Sequence, residues 1–274
     1  MVVALGGGVV GDLAGFVAAT VLRGVGLVQV PTSLLAAVDS SVGGKTGINH
    51  PAGKNLIGAF LQPHLVLIDT ALLKSLPDRE LRSGWGEIVK HAMIQSSTPG
   101  GKWNDLAEFL RRNRRQLHAL ESPAIDYLVW RNVALKAAVV ERDEREQGIR
   151  AYLNFGHTLG HAIEAADYHL LHGEAVAIGL AAETYLGVLM DTCAPDTLFA
   201  LRSLLESFDL PTTAKFDSGI VKQRLTSDKK RVAGKQRFVL PMSNGGVTIR
   251  DDVPESAVEQ ALASVSGMYE RVIV

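Results

Sequence analysis

The first two dozen residues constrain the fold more than any other stretch of this chain. The apolar run Val2-Val-Ala-Leu5 leads directly into the turn Gly6-Gly-Gly-Val-Val-Gly11, and an apolar stretch from Leu13 to Leu22 follows and ends before Gly24. A buried strand, a glycine turn and a buried helix are the parts of a parallel α/β sheet. No strand precedes the first one in the sequence, so we expect the chain to begin in the middle of a sheet.

The glycine turn also predicts a phosphate site. Gly6, Gly8 and Gly11 match the G-x-G-x-x-G spacing, and the backbone amides at the start of the following helix could hold a pyrophosphate. A complete dinucleotide fingerprint has an acidic residue about 20 positions further on, to bind the ribose. No acidic residue lies between Asp12 and Asp39. The motif therefore predicts the pyrophosphate half of a dinucleotide site without the ribose half.

A second predicted strand, Leu27 to Val30, ends at the hydroxyl residues Thr32 and Ser33, where a ligand could bind. The later segment Gly44-Lys45-Thr46 is similar to a nucleotide triphosphatase loop, but Asp39 occupies the position of the required first glycine, which argues against that class. We expect Asp39, Lys45, Lys54 and Asn55 to lie in glycine-rich loop. Loop lysines are usually solvated, but these neighbours favour an anionic ligand.

After the predicted strand Leu65 to Asp69 the sequence becomes mainly helical. A helix that starts near Leu76 places Glu87, Lys90 and His91 on one face, and the glycines Gly84 and Gly86 within it predict close contact with another element. Further predicted elements are a long helix from Ser122-Pro123 through Arg142, helices over 175–190 and 197–208, a hairpin of 234–241 with 247–250, and a final helix from Pro254.

These patterns predict two domains. Residues 1–75 form an incomplete Rossmann-like parallel α/β sheet. Residues 76–274 form a mainly α-helical domain with a small β-hairpin near 236–250.

The histidines indicate a chemical site in the helical part. Four of the eight histidines lie in the sixteen residues from His157 to His172. His157 and His161 are four apart in a predicted helix, so both imidazoles project from one face. Such a pair is often surface decoration, but Asn154 and Glu164 crowd the same region, which favours a metal or an acid/base centre.

Composition limits the partners. The formal net charge of −1 gives no electrostatic footprint for nucleic acid, and no segment approaches the length of a membrane-spanning helix. The single cysteine, Cys193, excludes a disulfide framework and is typical of a reducing compartment. We expect a cytoplasmic protein whose partners are small molecules and other subunits.

The chain resembles the 3-dehydroquinate synthase family, the NAD-dependent and metal-dependent cyclases of the shikimate pathway. The resemblance rests on long motifs distributed over most of the chain: Ala4-Leu-Gly-Gly-Gly-Val-Val-Gly-Asp12, Gln29-Val-Pro-Thr-Ser-Leu-Leu35, Val38-Asp-Ser-Ser-Val-Gly-Gly-Lys-Thr46, Gly53-Lys-Asn-Leu-Ile-Gly-Ala-Phe60, Glu87-Ile-Val-Lys90, Asn154-Phe-Gly-His-Thr-Leu-Gly-His161 and Leu171-His-Gly-Glu174. The family also has about a hundred further residues before the glycine turn, which form the first half of its nucleotide domain. The resemblance therefore implies that residues 1–75 are the C-terminal half of an NAD-binding domain and that residues 76–274 are a metal- and substrate-binding domain.

The resemblance implies roles for individual residues. The implied zinc or cobalt ligands are Glu87, His157 and His172. The implied NAD contacts are Gly7, Gly8, Asp12, Thr32, Ser33, Asp39, Lys45, Lys54 and Glu80. The implied catalytic residues are Asp39, Lys45, Lys90, Lys136, Asn154 and His161, and the implied substrate contacts are Arg23, Asn55, Arg150, Lys229 and Lys230, with Arg23 donated across a homodimer interface. Gly86 stands where the family often has alanine, and we expect this difference to leave the metal ligands unaffected.

The reaction implied by the resemblance converts 3-deoxy-D-arabino-heptulosonate 7-phosphate to 3-dehydroquinate and phosphate. Transient oxidation by NAD⁺ acidifies a neighbouring C–H bond, phosphate leaves, and the hydride returns before the ring closes. Three alternatives remain at this point: a sister sugar-phosphate cyclase, a metal-dependent polyol dehydrogenase, and an inactive truncated remnant. The several cations suited to phosphate, among them Lys90 and Lys136, favour the cyclase over the dehydrogenase.

Overall fold

The computed structural model describes residues 1–50, 53–102, 104–167, 169–227 and 236–267, and the side chains of 53–55 and 226–227 lie outside that description. The chain divides into two compact units. The first unit comprises Met1–Trp85 and Arg115–Glu144, and the second comprises Gly86–Arg114 and Arg145–Val274. The domain boundary near residue 75 stays a proposal, because compactness also groups a later segment with the first 85 residues.

The first unit is built on a parallel sheet, as the sequence predicts. Its strands are β1 (Val2–Gly6), β2 (Leu27–Pro31), β3 (Lys45–His50), β4 (Gly53–Phe60) and β5 (Leu65–Val66). In the sheet the order is β1-β2-β5, with both pairings parallel and with Ala4 opposite Gln29. The predicted strand at Leu65 to Asp69 is present but shorter than expected.

Helix α1 (Gly8–Thr20) covers one face of this sheet, where Ala4, Ala18 and Leu27 form a small core. The sequence predicts that the first strand and helix are buried, and this is only half right. Alternate side chains of a strand point to opposite faces. The Val3 and Leu5 side chains are 61% and 63% exposed on the face of β1 away from α1.

The glycine-rich segment after residue 44 is not the predicted loop. Strands β3 and β4 pair antiparallel as a hairpin, with Gly47 opposite Gly58. A Cβ atom on Gly58 would lie 2.4 Å from the backbone oxygen of Thr46, so the glycine permits this close pairing rather than marking a loop. Asp39 precedes the hairpin in a π-helical segment, Ala36–Ser40. The loop prediction for Asp39, Lys45, Lys54 and Asn55 is therefore wrong.

The helical predictions are largely confirmed. Helices α2 (Asp78–Ile94), α3 (Asp105–Arg112), α4 (Arg114–His118) and α5 (Ala124–Arg142) follow the sheet strands along the chain. Ser122 does not cap α5 as expected. Its hydroxyl donates to the carboxylate of Asp126 instead of accepting a backbone amide.

The second unit contains α6 (His157–Ala166), α7 (His172–Leu189), α8 (Pro195–Glu206), α9 (Ser218–Ser227), the antiparallel hairpin β6 (Phe238–Pro241) with β7 (Val247–Arg250), and α10 (Glu255–Val265). The core lies around α7, which is buried on nearly all sides because its sequence is apolar all round. Among the described residues no helix is both long and apolar enough to cross a membrane.

Candidate functional site

The histidine-rich segment forms two helix starts in the second unit. Helix α6 begins at His157, directly after Gly156, whose φ of 78° is left-handed and suits glycine. His161 follows one turn later, and the two imidazole centroids are 5.0 Å apart. His172 is the first residue of α7, with its centroid 5.5 Å from that of His157.

Glycines allow the helices that carry these side chains to approach closely. A Cβ atom on Gly86 would lie 2.3 Å from the backbone oxygen of Gly173, which follows His172. A Cβ atom on Gly179 of α7 would lie 1.9 Å from the backbone oxygen of Gly156. The close approach predicted for Gly86 is confirmed, and its bare backbone brings Glu87 beside His172.

Glu87 lies between two histidines. Its Oε1 atom is 3.1 Å from His172 Nε2 and 3.3 Å from His157 Nε2. Metal bonds of about 2.0–2.1 Å in a tetrahedral arrangement separate neighbouring ligand atoms by about 3.3 Å. The carboxylate oxygen therefore lies at the spacing of a fellow zinc ligand from each of the two imidazole nitrogens.

His161 offers a second possible ligand combination. The ligand nitrogens of His157, His161 and His172 all lie within 4.8 Å of one another, so three histidines could also share an ion. The choice between Glu87 and His161 as the third ligand stays a proposal.

The outer ring nitrogens fix the orientation of both imidazoles. His157 Nδ1 is 3.0 Å from the backbone oxygen of Phe155, and His172 Nδ1 is 3.5 Å from Oε2 of the buried Glu164. When a metal is bound, donation by each Nδ1–H would leave the Nε2 lone pair available to the ion. Such outer partners are typical of metal-binding histidines.

Electrostatics favour a cation at this point. Burial alone would raise the pKa of Glu87, but Lys90 and His157 hold it well below its usual range. Burial lowers the pKa of His157, which keeps the imidazole neutral. Burial also acts to lower the pKa of His172, yet hydrogen bonds with Glu164 and Glu87 outweigh it and raise that pKa to about 9. His172 thus holds a proton between two carboxylates, where a metal ion would supply the positive charge instead.

Other residues of the second unit with predicted roles lie close to this cluster in the sequence. The Nζ atom of the buried Lys90 forms an ion pair with Glu87 Oε2. Arg150 and Asn154 lie in the 3₁₀ segment Ile149–Asn154 that leads into α6. Arg150 is buried, and the amide of Asn154 donates to the carboxylate of Glu146.

In the first unit the glycine turn has the form of a phosphate cradle. Gly7 is the N-cap of α1 and Gly8 its first residue. Cβ atoms there would lie 3.3 Å from Ser33 Oγ and 3.1 Å from Ser40 Oγ, which is tight contact. The bare backbone at a helix start is what a pyrophosphate needs. Thr32 follows β2 directly, at the carboxyl end of that strand.

A polar cluster in the same unit joins three predicted residues. Lys136 Nζ is 3.0 Å from Asp39 Oδ1 and donates to the backbone oxygen of Asp39 at 2.7 Å. Burial raises the pKa of Asp12 to about 6, with Lys136 opposing the shift and Asp39 adding to it. The carboxylates of Asp12 and Asp39 and the ammonium group of Lys136 therefore interact electrostatically with one another.

The remaining residues with predicted roles are exposed or lie wholly or partly outside the description. Lys45 at the start of β3, Arg23 after α1 and Glu80 in the first turn of α2 are all exposed. Lys54 and Asn55 lie in β4, and their side chains are outside the description. Lys229 and Lys230 lie outside the described residues altogether.

Sequence reasoning missed one buried acid. Glu183 lies in the apolar helix α7, and its carboxylate accepts two backbone amides at the start of α6. The available signal was its position, since it is a lone acid in the apolar stretch from Ala175 to Leu189. A charged residue in such a stretch needs a buried partner.

Comparison with family models and with related sequences gives one family. A family model described as 3-dehydroquinate synthase N-terminal matches residues 1–83, and one described as 3-dehydroquinate synthase C-terminal matches residues 84–231. The 3-dehydroquinate synthase of Nostoc punctiforme is 47% identical over 268 residues, covering 95% of this chain and 71% of that protein.

Solved structures of related cyclases share the fold. The 2-epi-5-epi-valiolone synthase of Streptomyces hygroscopicus subsp. jinggangensis, with NAD⁺ and Zn²⁺ bound, matches with a TM-score of 0.86 at 28% identity, covering 96% of this chain and 72% of that one. A 2-deoxy-scyllo-inosose synthase complexed with carbaglucose-6-phosphate, NAD⁺ and Co²⁺ matches with a TM-score of 0.75 at 25% identity, covering 96% and 73%. The predicted dehydroquinate synthase-like fold is confirmed.

Proposed function

Because this chain belongs to the 3-dehydroquinate synthase family, we propose that it converts 3-deoxy-D-arabino-heptulosonate 7-phosphate to 3-dehydroquinate and phosphate. The reaction is that of an NAD- and metal-dependent carbon–oxygen lyase. One structural observation carries the proposal: the Glu87 carboxylate lies 3.1 and 3.3 Å from the Nε2 atoms of His172 and His157, with the spacing of a catalytic zinc site. The greater identity to 3-dehydroquinate synthases favours this reaction over that of a sister cyclase.

Glu87, His157 and His172 would hold the metal, which is Zn²⁺ or Co²⁺ in the related structures. When bound, the metal acidifies a substrate hydroxyl and NAD⁺ accepts and returns a hydride. Glu87 keeps its charge because Lys90 is beside it, and His157 presents a neutral Nε2 because Phe155 accepts its Nδ1–H. Glu164 holds the ring of His172 in the same way.

The chain's other polar residues would bind the organic groups. Gly7 and Gly8 would present backbone amides to the pyrophosphate of NAD, beside the hydroxyl of Ser33. In the second unit Arg150 would bind an anionic group of the substrate, and His161, one turn from His157, would exchange a proton with it. Asp39 and Lys136 keep their proposed catalytic roles in the first unit.

Phosphate release tests the proposal directly. The purified chain with NAD⁺ and Zn²⁺ should release phosphate from the heptulosonate phosphate and should leave glycerol unoxidised. Oxidation of glycerol without phosphate release would favour a polyol dehydrogenase. Neither activity, together with no binding of NAD or zinc, would favour an inactive remnant.

We also propose a cytoplasmic homodimer. The single, buried Cys193 is typical of a reducing compartment. Arg23 is exposed after α1, where it could reach a partner subunit as the family resemblance implies. Sedimentation of the wild type and of Arg23→Ala tests the dimer, and loss of activity without loss of the dimer would support a contribution of Arg23 to the partner's site.

A further inference from the structure

A buried carboxylate links the two helices that carry the proposed histidine ligands. Glu183 lies in α7 and is fully buried. Its Oε2 atom accepts the backbone N–H of Gly156 at 2.8 Å, and its Oε1 atom accepts the backbone N–H of Leu159 at 3.0 Å. Both amides belong to the start of α6, so the side chain of one helix caps the other.

The two amides flank His157. Gly156 directly precedes it, and Leu159 lies two residues beyond it in the first turn of α6. At the start of a helix the amides lack intrahelical partners, and a negative charge there also interacts favourably with the helix dipole. Glu183 therefore fixes the position and the rotation of the turn from which the imidazole of His157 projects.

We propose that Glu183 is a positioning residue for the metal site, acting on His157 through the backbone of α6. The inference rests on the proposed function. His157 Nε2 lies 3.3 Å from Glu87 Oε1, and a small rotation of the first turn of α6 would change this separation. Glu183 touches neither of these atoms in the proposed role; it holds the helix start that places one of them.

An apolar side chain at this position would leave the buried amides of Gly156 and Leu159 without acceptors, which is costly. A neutral side chain with one acceptor oxygen could pair with one of these amides without the free-energy cost of burying a charge. The surrounding segment of α7 is apolar, and Gly179 already lets the two helices touch. A carboxylate at this point gives what apolar packing does not, which is a defined orientation of two amides.

Glu183→Gln tests the inference. Glutamine keeps the size of the side chain and one acceptor oxygen, but its NH₂ group would face the second amide. We expect Zn²⁺ affinity, measured by chelator competition on the folded metal-free protein, to fall by about 10- to 100-fold, as for other residues that orient metal ligands. Turnover should recover when Zn²⁺ is raised by the same factor, because Glu183 takes no part in the chemistry.

Two variants serve as controls. Thr184→Val changes the neighbouring buried residue of α7 to one of the same shape, and Thr184 Oγ1 has no hydrogen-bond partner among the described residues. Ile163→Val removes one buried methylene from α6 and lowers stability without changing a polar contact. Both should bind Zn²⁺ as the wild type does.

The outcomes separate this inference from the proposed function. No Zn²⁺ binding by the wild type would refute the metal site itself. Wild-type affinity in folded Glu183→Gln would overturn the positioning role, and so would equal losses in Glu183→Gln and Ile163→Val. If Glu183→Gln does not fold, Glu183→Asp replaces it: the shorter carboxylate reaches only one amide, so reduced affinity would support the inference and unchanged affinity would overturn it.

Discussion

Among single residues, His157 and His161 are one turn apart in α6 and have different proposed roles. His157 lies near Glu87 and has its Nδ1 held by Phe155, whereas His161 is assigned to the substrate. We expect His157→Ala to lose Zn²⁺ affinity by more than about 100-fold, beyond the loss typical of outer contacts. His161→Ala should keep the metal and lose turnover. Metal analysis after dialysis checks both, and loss of zinc from both variants would favour the three-histidine ligand set.

Asp12 predicts a pH dependence of stability. Its pKa is raised by burial from 3.8 to about 6. A carboxyl whose pKa is higher in the folded state than in the unfolded state opposes folding once the unfolded chain loses its proton. The contribution of Asp12 to the free energy of unfolding should therefore fall between about pH 4 and about pH 6 and stay constant above.

Asp12→Asn removes that titration. Its melting temperature relative to the wild type should therefore rise between pH 4 and pH 6 and then stay constant. Thermal unfolding without cofactor at several pH values measures this difference. A difference that does not change with pH would contradict the raised pKa of the half-buried Asp12.

At the scale of elements, glycine contacts rather than side chains bring the metal ligands together. Gly86 of α2 meets Gly173 of α7, and Gly156 meets Gly179. Such contacts join residues distant in sequence, so a single sequence indicates a close approach at Gly86 without naming its partner. For the same reason Glu183 stands out in the sequence as a lone acid in an apolar stretch, while its partners, 27 and 24 residues away, do not.

Gly86→Ala tests the helix contact. The new Cβ atom would lie 2.3 Å from the oxygen of Gly173, so we expect a loss of about 1–3 kcal/mol in the free energy of unfolding, together with weaker zinc binding. Gly219→Ala in α9 is the control, because its Cβ atom would meet only the end of the Asp217 side chain. Urea unfolding should show the control unchanged or slightly stabilised. Equal stability of the two variants would argue against the contact.

The β3–β4 hairpin shows where sequence patterns mislead. Gly47 and Gly58 look like loop residues, yet they pair with each other in the antiparallel hairpin. The parallel strands, the long helices and the final hairpin were predictable, because their apolar periodicity is strong. The exposure of one face of β1 was not predictable, because periodicity shows that a side chain is apolar but not whether another element covers it.

At the scale of the whole molecule, the first unit exposes apolar side chains on β1 and α1. Leu5 and Leu13 are 63% and 50% exposed, and exposed apolar surface of this kind promotes association. We expect the chain to self-associate through this surface. The double variant Leu5→Lys with Leu13→Lys should be more soluble by light scattering. Gln116→Lys with Gln147→Lys adds equal charge on polar surface, and an equal gain there would show that only net charge matters.

The identity of the metal ligands is the central claim, and anomalous diffraction at the zinc edge from crystals of the zinc-loaded protein tests it most directly. We predict one peak within about 2.0–2.2 Å of Glu87 Oε1, His157 Nε2 and His172 Nε2. A peak bound by His157, His161 and His172 with Glu87 outside the coordination distance, or no peak at these residues, would contradict it.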